Sequence, residues 1–325
     1  MDKNISNIYK FHKAFPDEVT AREYLEKKRW GDKVTCPCCG SDRVQEAPSL
    51  IERGGYRRCH ACNFDFTVRT NTIFERSHVP LHKWLFAIYL VMVARKGISS
   101  VQLSKELGVT QKTAWFMLQR IRHACSPKDD DDDDQNGFLQ GIVEADETYL
   151  GGKESNKHAN KKLNMGRGGV GKTIVFGARQ RSGKIIARVI DSTSKEEIQK
   201  IVRKLVKPTT ILCTDEHSSY VGMMEYIHRT VKHSAKQFVD GMVHTNGIES
   251  FWAVLKRSFY GIYHSFSTKH TNLYVNECAF RLNEGNVKIP VIKRIESLFQ
   301  NSLGKRITYK ELTEGVFSNR VVTAH

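Results

Sequence analysis

Apolar and polar positions repeat with two different periods along this chain, and the change of period separates its two halves. Residues 81–95 (LHKWLFAIYLVMVAR) are almost continuously apolar. They are fewer than the ~20 residues that cross a bilayer, so they predict a buried helix. From residue 137 onward strand-like stretches take over: FLQGIVEADETYLGG, TIVFGARQR and KIIARVID, the last two joined by a turn at Ser182-Gly183.

The second half continues with helices among its strands. Ser194 can cap a helix formed by KEEIQKIVRKLV, and TTILCTDEHSSY is typical of a buried strand that ends at Asp215. HRTVKHS is a further short strand, and the stretch that begins at Asn246 with NGIESFWAVLKRSFYGI is a helix. This order predicts an α/β domain with a mixed five-stranded sheet, and it fits a ribonuclease H-like domain at 138–285.

Two shorter helices precede that domain, within residues 80–125. Ser99 or Ser100 can cap the first helix, Gly108 suits a left-handed turn, and Thr110 can cap the second. Apolar positions fit two helices packed at an angle: Val101, Leu103, Leu107, Val109, Ala114, Leu118 and Ile121. The pattern predicts a helix-turn-helix, with an ordinary helical hairpin that touches no DNA as the alternative.

The charge of the chain favours DNA binding by this pair of helices. There are 51 Lys and Arg against 35 Asp and Glu, a formal net charge of +16. Such a surplus indicates a polyanionic partner, because phosphate contacts release condensed counterions, although a merely basic enzyme is the alternative. The N-terminal residues of the second helix would enter the major groove, namely Gln111, Lys112, Thr113 and Trp115.

The expected location is the cytoplasm. The N-terminal stretch MDKNISNIYKFHKAF lacks the apolar core of a signal peptide, and no apolar run reaches the length of a membrane span. Disulfides are rare in a reducing compartment, so the eight cysteines call for another explanation.

Four of the cysteines form two CxxC pairs, Cys36 with Cys39 and Cys59 with Cys62. Two intervening residues let a tight turn present both sulfurs to one ion, and Zn²⁺ takes four thiolates in a tetrahedron. The pairs therefore predict a structural zinc ribbon within residues 15–75. Cys38 and His60 are weaker candidate ligands because they break the CxxC spacing.

Three acidic residues are candidates for a second metal site. Asp146 lies on the first strand of the second half, Asp215 at the end of the fourth, and Glu249 on the later helix. Acids from these distant segments can converge at one edge of the sheet, where like charges raise each other's pKa unless a cation is present. The arrangement predicts two Mg²⁺ or Mn²⁺ ions about 4 Å apart, which serve phosphoryl transfer.

Neighbouring residues extend this site or compete for it. Lys256 and Asn246 share the helix side of Glu249, so Lys256 can hold a phosphate and Asn246 can bind metal or DNA. Glu144 and Glu147 stay open as alternatives to Asp146. By strand alternation Glu144 shares the face of Asp146, and Glu147 points the opposite way.

Two further segments carry recognisable patterns. The six aspartates at 129–134 predict a solvated acidic linker over 126–137. GRGGVGKT at 166–173 matches a phosphate-binding loop, but no buried strand precedes it and no helix follows it. A basic, glycine-rich loop near DNA is the better interpretation of that stretch.

With these motifs assembled, the chain resembles insertion-sequence transposases of the IS1595 type, whose catalytic part is an ISXO2-like domain. The resemblance covers roughly residues 15–285. It is carried by CPCCGS, YRRCHACNFDFTVRTNTIFERSHVPLHKW, KGISSVQLSKELGVTQKTAWFMLQRIR, VEADETYLGGK, GRGGVGKT, CTDEHSSY and HTNGIESFWAVLKRSFYGIYH.

The resemblance implies metal-dependent cleavage and transfer of DNA strands, with double-stranded element ends and target DNA as partners and a homo-oligomer that pairs the ends. It assigns the first acid to Asp146 and the second to Asp215. The third falls on Glu249, seven residues before Lys256, with Asn246 as the second candidate.

Two other functions stay open at this point: a DNA-binding regulator without catalysis, and a structure-specific nuclease on the same fold. Residues 286–325 carry no recognisable motif and form a C-terminal tail of unknown role.

Overall fold

The computed structural model describes residues 5–45, 54–127, 139–152, 171–231, 244–285 and 288–314. The chain divides into two units, one formed by Met1–Cys125 with Gly285–His325 and the other by Ser126–Glu284. The aspartates at 129–134 and most of GRGGVGKT lie outside the described residues. The linker and the glycine-rich loop therefore stay predictions.

The first unit begins with two helices, α1 (Ile8–Ala14) and α2 (Glu18–Trp30). The side chains of Asn7 and Asp17 accept hydrogen bonds from backbone N–H groups of the first turns, which have no acceptor inside a helix. A three-stranded antiparallel sheet follows, made of β1 (Val44–Gln45), β2 (Arg57–Cys59) and β3 (Asp65–Phe66).

Three further helices follow this small sheet: α3 (Leu81–Val93), α4 (Ser100–Leu107) and α5 (Gln111–Cys125). Helix α3 is buried, as its apolar run predicted, with Leu85 and Ile88 fully enclosed. It ends at Val93, two residues before the end of that run. No helix among the described residues combines the length and the apolar character that a bilayer crossing needs.

The turn between α4 and α5 follows the predicted chemistry. Ser99 caps α4, Gly108 adopts φ 62° and ψ 45° in the left-handed region, and the Thr110 hydroxyl accepts a bond of 3.2 Å from the Thr113 N–H. The prediction that Val101 packs inward is wrong, because Val101 is exposed. It stands two residues before buried Leu103, about 200° around the helix, and so faces outward.

The C-terminal residues complete the first unit. They form α9 (Val291–Ser302) and α10 (Tyr309–Glu314), and α9 packs against α3 and α5. Phe299 is buried and stacks on Phe74 with ring centroids 6.1 Å apart. The segment that carried no motif thus supplies part of this unit's core.

The second unit is built on a mixed five-stranded sheet, which confirms the predicted sheet. Its strands are β4 (Ile142–Leu150), β5 (Thr173–Gln180), β6 (Ile185–Ile190), β7 (Ile211–Thr214) and β8 (Ile227–Thr230). They stand in the order β6-β5-β4-β7-β8. Strand β5 is antiparallel to β4 and β6, whereas β7 is parallel to β4 and β8.

Helices cover both faces of this sheet. They are α6 (Lys195–Leu205), α7 (Asn246–Ser258) and α8 (Thr271–Asn283). Helix α6 packs on the face that carries Val143 and Ala145, and α7 and α8 pack on the other face. Because side chains alternate along β4, Glu144 and Asp146 are directed toward the α7 side of the sheet. A π-helical turn at Phe259–Tyr263 continues α7.

Candidate functional site

The two CxxC pairs come together in the first unit. The Sγ atoms of Cys36 and Cys62 lie 3.7 Å apart, those of Cys39 and Cys59 lie 3.6 Å apart, and all four fall within 4.8 Å of one another. A zinc tetrahedron with Zn–S bonds of about 2.3 Å has edges of about 3.8 Å, so the group fits Zn²⁺. Neither Cys38 nor His60 belongs to this group, and none of the cysteines forms a disulfide.

Short backbone contacts hold the first of these pairs. The Gly40 N–H donates to the Cys36 carbonyl at 2.9 Å, and Gly40 has a positive φ of 75°, which glycine adopts without strain. Beside the second pair, Arg57 makes a two-fold ion pair with Glu26 at 2.9 and 3.0 Å and lies over the Trp30 ring. Since Glu26 and Trp30 belong to α2, this cation ties the ribbon to the helix before it.

The residues predicted to contact DNA lie at the start of α5, in the same unit. Gln111 and Lys112 are exposed, and Gln111 Nε2 donates to the Ser100 hydroxyl at 2.8 Å. Thr113 lies in the capped first turn. Trp115 is half-buried, with its ring edge-on to Tyr309 of α10 at 6.4 Å between centroids.

Tyr309 was not foreseen as a neighbour of this surface. The ammonium of Lys112 lies 5.2 Å from the centre of its ring. Tyr309 also borders a cavity of about 520 Å³ whose cationic lining residues are Arg76, Lys83, Lys112 and Arg120. The surface around the first turn of α5 is thus positively charged and partly aromatic.

In the second unit the register of two parallel strands sets two acids side by side. Glu144 of β4 pairs with Cys213 of β7. Asp146 and Asp215 each stand two residues further along in the same direction, and Asp215 directly follows β7, which ends at Thr214. Parallel neighbouring strands are about 4.8 Å apart, so the backbones of the two residues lie close together.

Asp146 is largely buried between the sheet and α7. Its Oδ2 accepts a hydrogen bond of 2.9 Å from the indole Nε1 of Trp252. Burial raises the pKa of Asp146 to about 6, with further upward contributions from the charges of Asp215 and Glu249. Asp146 therefore feels the charges of two acids that come from distant parts of the sequence.

Gly177 makes room for that contact. It pairs with Asp146 across β4 and β5. A Cβ at this position would lie 2.5 Å from the Trp252 ring, so only glycine lets the indole reach the carboxylate. The sequence did not reveal this requirement, because a glycine within a strand ordinarily indicates only a lower strand propensity.

Asp215 follows the last residue of β7 directly. Its Oδ1 accepts a hydrogen bond of 2.9 Å from the His217 N–H. Glu249 lies in the first turn of α7, where its Oε1 accepts a bond of 2.7 Å from the Thr245 hydroxyl. Asn246 and Lys256 are exposed like Glu249 and share its side of the helix.

The three acids do not form a compact group like that of the four cysteines. Among the residues that the structure describes, the only group of three or more His, Cys, Asp or Glu side chains that could hold a metal ion is the cysteine group. A magnesium site at Asp146, Asp215 and Glu249 therefore stays a prediction.

Glu147 is a second, partly buried acid next to Asp146 in β4. It accepts a hydrogen bond from the hydroxyl of Tyr220, on the sheet face opposite to that of Asp146. Burial raises the pKa of Glu147 to about 7, and the charges of Asp146 and Asp215 raise it further. Strand alternation had placed Glu147 opposite Asp146, but nothing in the sequence indicated Tyr220 as its partner.

Comparison with known proteins gives a consistent result. Residues 138–283 match the ISXO2-like transposase domain, and residues 16–64 match the transposase zinc-ribbon domain. An uncharacterized protein in transposable element ISH50 of Halobacterium salinarum is 28% identical over 90% of this chain and 99% of its own length. A transposase-like protein of Haemophilus influenzae is 29% identical over 34% of this chain and 93% of its own length.

Both matched domains are parts of the same kind of mobile-element protein, and they occur here in one chain. The chain therefore belongs to the insertion-sequence transposases of the IS1595 type.

Proposed function

We propose that this protein cleaves DNA strands at the ends of an insertion sequence and transfers them to target DNA, using Mg²⁺ or Mn²⁺ held by Asp146, Asp215 and Glu249. The observation that carries the proposal is the surroundings of Asp146: burial between the sheet and α7 raises its pKa to about 6, and the nearby charges of Asp215 and Glu249 raise it further. Unneutralised carboxylates are costly when gathered in this way, and divalent cations relieve the cost.

The topology supports a ribonuclease H-like assignment for residues 138–285. Three antiparallel strands are extended by two strands parallel to the first of them, in the order β6-β5-β4-β7-β8. The first acid lies on the central strand β4 and the second at the end of its parallel neighbour β7. The third comes from α7, which covers the same face of the sheet.

Each side chain then has a distinct task. Bound divalent cations would activate water or a 3′-hydroxyl as nucleophile and stabilise the departing oxygen. Asp146, Asp215 and Glu249 hold and space the cations rather than moving protons. Lys256, two turns after Glu249, holds a phosphate of the DNA, and Asn246 is the second candidate for the third ligand.

The first unit recognises the DNA ends in this proposal. Helix α5 enters the major groove with Gln111, Lys112, Thr113 and Trp115, in the manner of a helix-turn-helix. The zinc ribbon stabilises that unit. Since an element has two ends that must be cut in concert, the active form is a homo-oligomer, at least a dimer.

The decisive experiment combines purified protein, Mg²⁺ or Mn²⁺ and DNA that carries the element ends. Wild type should produce nicks with 3′-hydroxyl ends and then join them to target DNA, whereas Asp215→Asn should do neither. If wild type binds the DNA but never cuts it, the protein is a DNA-binding regulator. If it cuts without joining, it is a nuclease.

A further inference from the structure

Glu144 is a buried carboxylate with no task in the proposed metal site. Its residue is 1% exposed, and it lies on β4 two positions before Asp146. Its Oε1 accepts a bond of 3.1 Å from Nε of Arg181 and lies 3.4 Å from Nδ1 of His244. Its Oε2 accepts a bond of 2.9 Å from the backbone N–H of Ile248.

The contact with Ile248 caps a helix from outside. Ile248 lies in the first turn of α7, where backbone N–H groups have no acceptor within the helix. Thr245, the residue before α7, makes no capping bond with its side chain. Glu144 satisfies this first turn from 104 residues away, and its charge is favourable at a helix N-terminus.

The contact between Glu144 and the Ile248 N–H anchors the start of α7, and two arginines, one in β5 and one in the turn after it, strengthen this anchor. Arg179 donates to the Gly247 carbonyl at 2.6 Å, and Arg181 donates to the His244 carbonyl at 3.1 Å. Both carbonyls lie at the entry to α7. The chain entering the helix is therefore held by polar side chains of the sheet as well as by apolar packing.

Gly247 shows how closely the helix approaches this carboxylate. A Cβ at position 247 would lie 2.5 Å from Glu144 Oε2 and 2.9 Å from Arg179 Nη1. The backbone of Gly247 does not have a positive φ, so the requirement for glycine is one of space rather than of conformation. Any side chain here would displace the carboxylate from the helix.

We propose that Glu144 is a positioning residue that fixes Glu249 relative to Asp146. Ile248, which Glu144 holds, is directly followed by Glu249, and Glu144 itself stands on the strand of Asp146. Strand β4 thereby positions both acids: it carries Asp146 itself, and through Glu144 it holds the first turn of α7, which carries Glu249. This inference rests on the proposed function, because it assigns the anchor a role in spacing metal ligands.

The test uses three variants of the full chain and two controls. Glu144→Gln keeps an acceptor oxygen but loses the charge, Glu144→Asp keeps the charge but shortens the reach, and Gly247→Ala inserts the obstructing Cβ. Gly261→Ala is matched to Gly247→Ala, because a Cβ at 261 meets nothing within 4 Å. Glu225→Gln breaks the surface ion pair with Arg203 in the same unit.

Mn²⁺ binding is measured by the loss of the free-ion electron paramagnetic resonance signal, and DNA cleavage and thermal melting are measured in parallel. The anchor predicts that Glu144→Asp and Gly247→Ala lose about 10- to 100-fold in Mn²⁺ affinity and cleavage rate, the range seen when partners of metal ligands are removed. Glu144→Gln should lose less, because it can still cap Ile248. DNA binding, which the first unit provides in the proposed function, should stay at the wild-type value.

The outcomes separate the two proposals. Wild type that cuts, together with variants that bind Mn²⁺ and cut as well as Gly261→Ala does, overturns the anchor and leaves the proposed function standing. The same holds if all three variants melt earlier while Mn²⁺ affinity stays at the wild-type value. Wild type that neither binds Mn²⁺ nor cuts overturns the proposed function and the positioning role together.

Discussion

The indole Nε1 of Trp252 donates a hydrogen bond of 2.9 Å to Oδ2 of Asp146. A buried indole N–H needs an acceptor, and a buried carboxylate needs donors, so each group satisfies the other. The bond lowers the pKa of Asp146 and partly offsets the upward effect of burial. It also links α7 to β4 at Asp146.

Replacing Trp252 with Phe should therefore weaken the proposed metal site. Without the donor, the pKa of Asp146 should rise further above about 6, and the acid limb of the pH–rate profile for DNA cleavage should move to higher pH. A lost bond to a charged group costs about 1.5–3 kcal/mol, which corresponds to a rise of about 1 to 2 in the pKa of Asp146. The ionised fraction of Asp146 at pH 7, and with it the rate, should then fall about 2- to 15-fold. Tyr260→Phe, which removes an exposed bond to Gly151, is the control. An unmoved acid limb in Trp252→Phe would contradict the assignment.

The raised pKa values of Asp146 and Glu147 predict how the stability of the metal-free protein depends on pH. The pKa is about 6 for Asp146 and about 7 for Glu147, against ordinary values of 3.8 and 4.5. Folding thus favours the protonated forms, so their stabilising contribution is present below about pH 4 and is lost as pH rises through about 6 to 7. Each pKa difference of one corresponds to about 1.4 kcal/mol.

Thermal melting of metal-free protein from about pH 4 to about pH 8 measures this effect. The melting temperature of the second unit should fall over that range, and Glu147→Gln should flatten the fall while the exposed Glu196→Gln should not. Excess Mg²⁺ should restore stability mainly at the high end, because the cation binds the ionised acids. A melting temperature that rises steadily with pH would be inconsistent with buried, protonated acids.

The cysteine group predicts one structural zinc ion per chain. Cys62→Ser should lose the zinc and destabilise the first unit, because a structural site supplies much of the folding energy of a small ribbon. Cys38→Ser is a matched control, since Cys38 lies next to the group but outside it. Metal analysis of the freshly purified proteins provides the measurement. Equal zinc content in Cys62→Ser and wild type would remove this site.

Lys112 provides a test of DNA recognition by α5. If this exposed lysine contacts a phosphate, Lys112→Ala should weaken binding about equally for all sequences and lower the slope of log affinity against log salt by about 1. Gln111→Ala should instead reduce discrimination between element ends and unrelated DNA. Lys10→Ala, on α1, should leave both properties unchanged. Titrations of labelled duplexes at several salt concentrations would show whether Lys112 has this role.

Local chemistry explains why much of this fold was predictable. The Ser99 and Ser194 caps, the left-handed Gly108 and the CxxC spacing each depend on a few neighbouring residues, and the structure confirms all of them. The order of strands and helices likewise predicted a mixed five-stranded sheet. Such features depend on residues that are close in the sequence, so they can be predicted without knowing the tertiary contacts.

Contacts between distant segments were not predictable in the same way. Strand alternation placed Glu144 beside Asp146, but the capping of Ile248 joins residues 104 positions apart. Trp252 on Asp146 and Tyr220 on Glu147 are equally remote pairs, and the glycines at 177 and 247 matter through the atoms that approach them. Such requirements arise from packing and leave no periodic signal in the sequence.

The C-terminal segment shows the same limit and yields a final prediction. Residues 288–314 carry no motif, yet Phe299 is 1% exposed and stacks on Phe74, which in turn contacts Trp84 of α3 at 5.2 Å between ring centroids. Phe299→Ala should cost about 3–5 kcal/mol in the free energy of unfolding of the first unit, the usual cost of such a cavity. Val19→Ala, at a half-exposed site on α2, should cost far less.

Urea unfolding of the full chain, with melting of the zinc ribbon followed separately by zinc release, would measure both variants. Helices α4 and α5 pack on α3, and α9 packs on α3 and α5. If α5 binds DNA as proposed, Phe299→Ala should therefore also weaken DNA binding, while the metal-dependent pH behaviour of the second unit stays unchanged. If Phe299→Ala unfolds like Val19→Ala, the C-terminal helices are an appendage rather than part of the core. The stacking of Phe299 on Phe74 argues against that outcome, because removing so fully enclosed an aromatic side chain leaves a cavity that its neighbours cannot fill.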